Sequence, residues 1–396
     1  MSLPYSIYLH IPFCRHRCAY CDFNTYAGQE ALIPAYVEAL IAEIESLQSP
    51  HLTVHTVFFG GGTPSLLAAR DVGQILEAVA RAFNLSSEAE ITLEANPGTV
   101  SPDSLRALRA AGVNRLSFGM QSANPSELRL LEREHSFVDV IHAVTWARRA
   151  GFLNLNLDLI YGLPQQSLDL WQRSLEWALR LRPEHLSLYA LTIEHGTPFG
   201  RWVGRGLMPA PEDDRAAEML EWACERLERA GYAHYEISNW ALDLPPSPEF
   251  EAPRYACRHN LQYWRAWPYL GLGAGAHGYA AGYRYSNVLR IRTYIERLQT
   301  GRKREFPFSP AVVQVHRQTP EDEMGEFMML NLRLTRQGVS LEEFRQRFGR
   351  DVEEIYGEKI RALEQAGLLE VLEREKRLRL TARGRLLGNR VFREFV

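Results

Sequence analysis

Cys14, Cys18 and Cys21 stand together in the run HIPFCRHRCAYCDF. Cysteine binds iron as thiolate, and spacers of three and two residues let one loop turn all three sulfurs toward a common centre. The spacing suits three corners of a [4Fe–4S] cube, whose fourth iron is then left without a protein ligand. A structural zinc site takes four closed Cys or His ligands. His10 and His16 stand nearby, but no second Cys or His pair follows at zinc-finger distance. A thioredoxin-type pair needs only Cys18 and Cys21 and leaves Cys14 idle. A disulfide framework fits poorly, because five cysteines in 396 residues are an odd and sparse set in a chain that opens without a signal-peptide pattern.

Other residues carry chemical potential further along. The run Gly60-Gly61-Gly62-Thr63-Pro64 has bare backbone that can approach a charged ligand, although a lone glycine run is also an ordinary turn. Glu94 and Asp158 lie in the apolar stretches ITLEANP and LNLDLIYGLP, where an unpaired charge is costly to bury, so a functional or paired role is expected for both. Arg133 sits in Leu-Glu-Arg-Glu-His, where a solvated helix face explains any single residue equally well. In the segment Arg258-His259-Asn260-Leu261-Gln262-Tyr263-Trp264 an imidazole could ligate haem iron, and Tyr263, Trp264 and Trp267 could supply flat apolar walls. A histidine with two aromatics in an apolar stretch is, however, more often packing than a ligand set. Cys257 is a further axial candidate or an inert neighbour, and Cys224, within AAEMLEWACERLERAG, reads as core. The string Gly271-Leu-Gly-Ala-Gly-Ala-His277-Gly is superficially a dinucleotide loop. It follows no clear strand and lacks the βαβ context, so it reads as a loop beneath the site.

The cysteine pattern, with Tyr20 just before the last cysteine, resembles the radical S-adenosylmethionine superfamily. The resemblance implies that the open iron chelates the amino and carboxylate groups of the cofactor, and that an electron from the reduced cluster splits its sulfonium bond to give a 5′-deoxyadenosyl radical. It implies that GGGTP meets the cofactor's methionine amino group. Carried over position by position, Tyr8, Gly61, Gly62, Thr63, Glu94, Gln121, Arg133 and Asp158 match the cofactor contacts of the coproporphyrinogen-dehydrogenase branch. Carboxylates would then serve ribose hydroxyls or the ammonium, and Arg133 a carboxylate.

The strings YLHIPFC, LSFGMQS, LDLIYGLP and RHNLQYW look like the oxygen-independent coproporphyrinogen oxidase and HemW family, over essentially the whole chain. The oxidases carry a fourth cysteine two positions after the third, where this chain has Phe23, and an N-terminal extension of which only a few residues are seen here. HNLQYW fits the His-Asn-x-x-Tyr-Trp signature of HemW-type haem chaperones. The resemblance therefore implies a [4Fe–4S] cluster on Cys14, Cys18 and Cys21, bound S-adenosylmethionine, and haem beside His259, Tyr263 and Trp264. It also implies transfer of haem to haem-accepting proteins and an electron donor such as flavodoxin or ferredoxin. Two turnover functions compete: oxidative decarboxylation of coproporphyrinogen III to protoporphyrinogen IX, and another radical reaction on a tetrapyrrole, such as methyl transfer or haem opening.

Such a rim needs a scaffold. Period-2 apolar runs predict strands near 6–11, 56–60, 91–96, 115–120, 154–160 and 185–191. Amphipathic patterns predict helices over Ala35–Leu47, Val72–Phe83, Ser101–Ala111, Phe137–Ala150 and Leu168–Leu181. This alternation means a parallel sheet with right-handed crossovers, an α/β partial (β/α)6 barrel. The unusual residues all fall at the C-terminal ends of strands, where such barrels keep their sites: the cysteine loop, GGGTP, Glu94 and Asn96, Gln121, Asp158. The expected division is 1–240 for the barrel with its cluster loop, 241–302 for a loop and the HNxxYW segment completing the site, and 303–396 for a C-terminal domain. Leu242–Pro253, Pro-rich and acidic, reads as an exposed loop, either a mobile cover or an inert insertion, and Arg302–Pro310 as a linker.

Beyond the linker, helices are expected over Glu321–Leu332 and Val352–Ala366. A capping box joins Ser340 to Glu343, Leu368–Leu372 and Arg377–Leu380 form a hairpin, and a last helix starts near Thr381. This resembles the winged-helix-like C-terminal region of the family. Glu370, Glu373 and Glu375 among the hairpin's basic residues would repel phosphate, and a net charge of −3 gives no global pull on nucleic acid. At 46% hydrophobic residues the chain supports an ordinary core, and no uncharged apolar run is long enough to span a bilayer. The expectation is a cytoplasmic protein in a reducing compartment, with peripheral membrane contact as the one membrane role left to it.

Overall fold

The computed structural model describes residues 3–396. Six parallel strands form its centre: β1 (Tyr5–Ile11), β2 (Ser49–Gly61), β3 (Phe83–Ala95), β4 (Arg115–Gln121), β5 (Leu155–Tyr161) and β6 (His185–Ala190). They pair in sequence order, with Leu9 beside Phe59, Glu94 beside Ser117 and Asp158 beside Ser187. Helices Ile33–Ser46, Ala69–Ala82, Pro102–Ala110, Phe137–Arg149 and Leu168–Arg180 fill the crossovers. Three of them start on a serine whose side chain takes an N-terminal amide, Ser101, Ser136 and Ser167, and the first two form full capping boxes. The sheet stays open, because beyond β1 it continues into other strands instead of returning to β6. This is the partial barrel that the alternation predicts.

The two faces of the barrel strands differ in chemistry. Ile7, Leu9 and Ile11 of β1, Leu116, Phe118 and Met120 of β4, and Leu155, Leu157 and Leu159 of β5 are fully buried. Their alternating neighbours are polar: Ser6, Thr56, Thr92, Arg115, Ser117, Asn156, His185 and Ser187 are all buried too. Several of them pair with one another. Thr56 donates to Ser6 at 2.6 Å, Asn156 Nδ2 donates to Ser117 Oγ at 2.7 Å, and His185 Nδ1 lies 2.6 Å from Asn156 Oδ1. Glu94 and Asp158 belong to this polar face, which is how a carboxylate tolerates an otherwise apolar strand.

The remaining elements correct several expectations. Compact units fall at 1–223 with 268–316, and at 224–267 with 317–396, instead of at 240 and 302. The reason is local. Tyr269–Leu272 pairs parallel with β1 on the side away from β2, and antiparallel strands His277–Ala280, Tyr283–Asn287 and Val312–Arg317 extend that edge. The glycine string 271–278 is therefore strand and turn within the sheet. Residues 302–305 are exposed, but 306–310 are packed instead of forming a linker: Phe308 meets the rings of Tyr283 and Tyr285, and Ser309 Oγ donates to Glu43 at 2.6 Å. Glu43, fully buried on the first helix, also accepts from Gly273 N, Asn287 Nδ2 and Tyr294 OH, so one carboxylate ties segment 268–316 to the barrel.

In the second unit, helices Pro320–Asn331, Leu341–Phe348 and Val352–Gln365 enclose a core containing Phe327, Phe344, Val339, Leu380 and Val391. Hairpin Leu369–Leu372 with Arg377–Leu380 completes a winged-helix-like domain. The Ser340 hydroxyl caps the second of these helices through Glu343 N, so only half of the expected capping box forms. The expected last helix is two short ones, Ala382–Leu386 and Gly388–Phe392. The Pro-rich stretch after Leu242 is pinned: Arg336 holds the Asp243 carboxylate at 2.8 Å and the Ser247 carbonyl at 3.2 Å, and Gln337 holds the Phe250 carbonyl at 3.0 Å.

Candidate functional site

The cysteine loop leaves β1 and returns as a two-residue parallel pairing of Phe13–Cys14 with Tyr26–Ala27. Each of its three thiols has a donor at hand. Thr63 Oγ1 lies 3.5 Å from Cys14 Sγ, Arg133 Nη1 lies 3.5 Å from Cys18 Sγ, and Thr25 Oγ1 lies 4.0 Å from Cys21 Sγ. Burial pushes the Cys14 and Cys21 thiols up, and the threonine hydroxyls oppose that by favouring the anion. No cysteine is in a disulfide. Among the described residues no three His, Cys, Asp or Glu converge as one ion requires. A cube takes each thiolate on a different iron and so needs the sulfurs spread apart.

The GGGTP loop lies against the cysteine loop by backbone contact, Gly62 N to Ile11 O at 2.9 Å and Thr63 N to Phe13 O at 2.8 Å. A side chain on Gly62 would strike Phe13 O at 2.6 Å and reach to 3.1 Å of Cys14 Sγ, so the sulfur meets bare backbone. Gly61 N donates to Glu94 Oε2 at 3.1 Å. Burial first, and the neighbouring Asp158 second, push the Glu94 carboxyl up to about 8. Asp158, also raised by burial, accepts from Ser117 at 2.9 Å and Asn156 at 2.8 Å. Gln121 ends β4 at φ 62, a left-handed conformation uncommon for a residue with a side chain. Arg133 also donates to Gly119 O at 3.1 Å, and its Nε is enclosed without a partner.

These residues surround one cavity of about 360 Å³. Cys14, Cys18 and Cys21 line it with Gly61, Gly62 and Thr63, and Glu94, Gln121, Arg133 and Asp158 supply its polar wall. Ten of the residues singled out by sequence thus converge from five strands. Tyr8 does not line the cavity: its hydroxyl, raised by burial, lies 3.1 Å from His10 Nδ1, and its ring stacks on Phe58. Thr25, Ser117, Ile160 and Tyr189 line the cavity without having been singled out. Thr25 could have been found from its position four residues after Cys21, Ser117 only from its pairing with Asp158. Phe23 is 63% exposed at the cavity's edge and offers no ligand.

A [4Fe–4S] cluster with S-adenosylmethionine fits this donor set: three thiols each backed by a donor, a loop without side chain at Cys14, two half-buried carboxylates that cation or hydroxyl contacts would relieve, and an unpartnered guanidinium nitrogen.

His259, Tyr263 and Trp264 lie in the second unit, on a short helix Arg258–Trp264 that starts at Cys257. His259 is 1% exposed, and its Nε2 lies 2.9 Å from Tyr263 OH. The spacing of four residues puts both on one helix face. Arg333 lies over the Trp264 ring at 4.4 Å, and Arg265 over Trp267 at 5.1 Å. Cys257 is buried, and its amide donates to Tyr235 OH. In this conformation the segment is packed, and its imidazole nitrogen is engaged.

Comparison with known proteins agrees with the geometry. Residues 8–178 match the Radical SAM superfamily and residues 318–387 the HemN C-terminal domain. The "Heme chaperone HemW" of Lactococcus lactis subsp. lactis (strain IL1403) is 37% identical over 396 residues, covering 100% of this chain and 98% of that protein. The protein of the same name from Mycobacterium tuberculosis (strain ATCC 25618 / H37Rv) is 41% identical, covering 98% and 94%. Coproporphyrinogen III oxidase (HemN) from Escherichia coli, a radical SAM enzyme, superposes with a TM-score of 0.82 over 100% of this chain and 90% of its own at 23% identity, which shows a shared fold. The chain belongs to the HemW family of the radical S-adenosylmethionine superfamily.

Proposed function

We propose that this protein is a haem chaperone: it binds haem and passes it to haem-dependent proteins, on a scaffold that carries a [4Fe–4S] cluster and S-adenosylmethionine. The observation that carries the reading is full-length kinship at 37% and 41% identity with proteins named for that activity. The open three-cysteine cavity supports the cofactor part of it.

Cys14, Cys18 and Cys21 would hold the cluster, with Thr63, Thr25 and Arg133 stabilising their thiolates. Gly61, Gly62, Thr63, Glu94, Gln121, Arg133 and Asp158 would hold S-adenosylmethionine, with Tyr8 supporting from behind through His10. Bound together, the two groups supply one-electron reductive chemistry, for which a flavodoxin or ferredoxin is the donor class. Glu94 keeps a proton at its carboxyl near neutral pH until a cation or a hydroxyl donor meets it, because burial and Asp158 both oppose its charge. Haem would engage His259, Tyr263 and Trp264, and iron ligation through Nε2 requires His259 to give up its Tyr263 hydroxyl contact. No helix among the described residues is long and apolar enough to cross a membrane; independently, an oxygen-sensitive cluster suits a reducing compartment, and we propose a cytoplasmic location.

The test is direct. The haem-loaded protein is mixed with a haem-free acceptor, and the Soret band of the acceptor is followed. Transfer that saturates with acceptor concentration and outruns free haem is expected; transfer no faster than free haem would remove the chaperone reading.

A further inference from the structure

The glycine string 271–278, which no cofactor role absorbs, faces the cysteine loop. Asn24, between Cys21 and the returning Tyr26, is the residue that meets it. Its Nδ2 donates to the carbonyls of Ala274 and Leu289, each at 3.0 Å, so both amide hydrogens are spent on fixed backbone oxygens. Its Oδ1 accepts from Tyr26 OH at 3.1 Å, and its own carbonyl accepts from His10 Nε2 at 2.9 Å. Two carbonyl acceptors at Nδ2 fix which way the amide points.

The cradle is shaped for this side chain. Gly275, at φ +80, has no Cβ, and one placed there would lie 2.5 Å from Asn24 Nδ2. The cradle is also rigid. Gly273 N is held by the buried Glu43, Gly273 O by Asn287, and Ala274 N by Tyr36 OH, which itself donates to His10 O at 2.6 Å. Next in sequence stands Thr25, 5% exposed, whose hydroxyl lies 4.0 Å from Cys21 Sγ.

We infer that Asn24 is a positioning residue for the cluster: its amide docks the cysteine loop on the carbonyls of Ala274 and Leu289 and thereby holds Thr25 against the sulfur of Cys21. The inference rests on the reading that the three cysteines carry a [4Fe–4S] cluster. Hydrogen bonds to ligating sulfur set cluster potential, and residues that orient ligands contribute to metal retention. Asn24 touches no substrate and acts only through the loop.

Asn24→Asp keeps the shape and replaces both donors with an oxygen facing two carbonyls; Gly275→Ala leaves Asn24 in place and crowds it. The full-length variants are read three ways. Reconstituted cluster is challenged with an iron chelator and its visible absorption followed, and loss about tenfold faster than wild type is expected, the factor that about 1.4 kcal/mol supplies. The cluster's midpoint potential should fall, since a donor to thiolate sulfur stabilises the reduced state. In cluster-free protein, amide hydrogen exchange across residues 24–26 should accelerate while the thermal midpoint stays near wild type. Wild-type chelation rate and potential in both variants would overturn the inference. If the wild type takes up no cluster, the cofactor reading fails instead, and exchange at residues 24–26 still decides the docking: unchanged exchange in Asn24→Asp sinks it.

Discussion

The cavity of the first unit and the Arg258–Trp264 helix of the second were both marked by motif, and they stand in opposite physical states. In the cavity, groups aim into open space with chemistry unfinished: Glu94 and Asp158 raised by burial, Arg133 with an enclosed Nε, three thiols each provided with a donor. On the helix, His259 is buried and bonded to Tyr263, and Trp264 is covered by Arg333. A cavity of the first kind is preorganised for its ligand and loses little on binding. A segment of the second kind must exchange existing contacts for new ones, which lowers affinity and also makes release easier. Carrying and delivering a cargo calls for the second; retaining a cofactor calls for the first.

The sharpest way to break this contrast is to empty the cavity. Replacing Cys14, Cys18 or Cys21 with Ser should abolish cluster uptake, read as bound iron, and leave haem titration unchanged and stability within about 1 kcal/mol of wild type, because the change from thiol to hydroxyl is small and the three side chains line the cavity. Parallel loss of haem binding would show that the two regions are not independent. His259→Ala should weaken haem binding about tenfold or more and shift the Soret band, without altering the cluster, the scale set by loss of one metal ligand or its support. Unchanged affinity and spectrum would remove His259 from the ligand set.

Tyr263→Phe sharpens the contrast from the other side. It removes the hydroxyl that occupies His259 Nε2, so haem should bind several-fold more tightly, about 1 kcal/mol for one hydrogen bond no longer broken, and dissociate more slowly. Weaker binding would assign the hydroxyl to the haem. The last effect is a pH dependence. With its folded value at about 8, Glu94 binds a proton in the folded state that the unfolded chain has already released, so its contribution is fully present below the ordinary carboxylate range and is lost as pH rises through 8. The thermal midpoint of cofactor-free protein should fall over that window, and Glu94→Gln should flatten the fall while leaving the haem region untouched. Glu236, also raised, to about 7, is common to both proteins and cancels in the comparison.

Much of this was legible in the sequence, for reasons that can be named. Barrel strands announce themselves because Ile7, Leu9 and Ile11, or Leu155, Leu157 and Leu159, alternate with residues of another kind. The rim was legible because cysteine, glycine and carboxylate at strand ends are costly unless used. The first halves of β2 and β3 were not, since Ser49–His55 and Asn84–Glu90 are mostly polar pairing strands at the barrel's base. Nor was strand Tyr269–Leu272, where glycine replaces the branched residues that usually mark a strand. The polar inner face was hidden because a buried hydrogen-bonded serine and a surface serine look alike in one dimension. The His259–Tyr263 contact was visible in principle, as a pair four apart on a helix, but only once the segment is known to be helical.

The central claim is that this scaffold delivers haem instead of making porphyrin. The measurement is anaerobic: reconstitute the cluster, add reductant, S-adenosylmethionine and coproporphyrinogen III, and quantify protoporphyrinogen and 5′-deoxyadenosine in one sample, with haem and a haem-free acceptor in a second. Haem reaching the acceptor, with no porphyrinogen product beyond background, is the predicted result. Protoporphyrinogen accumulating over many turnovers would contradict it and make the chain a dehydrogenase without a fourth cysteine.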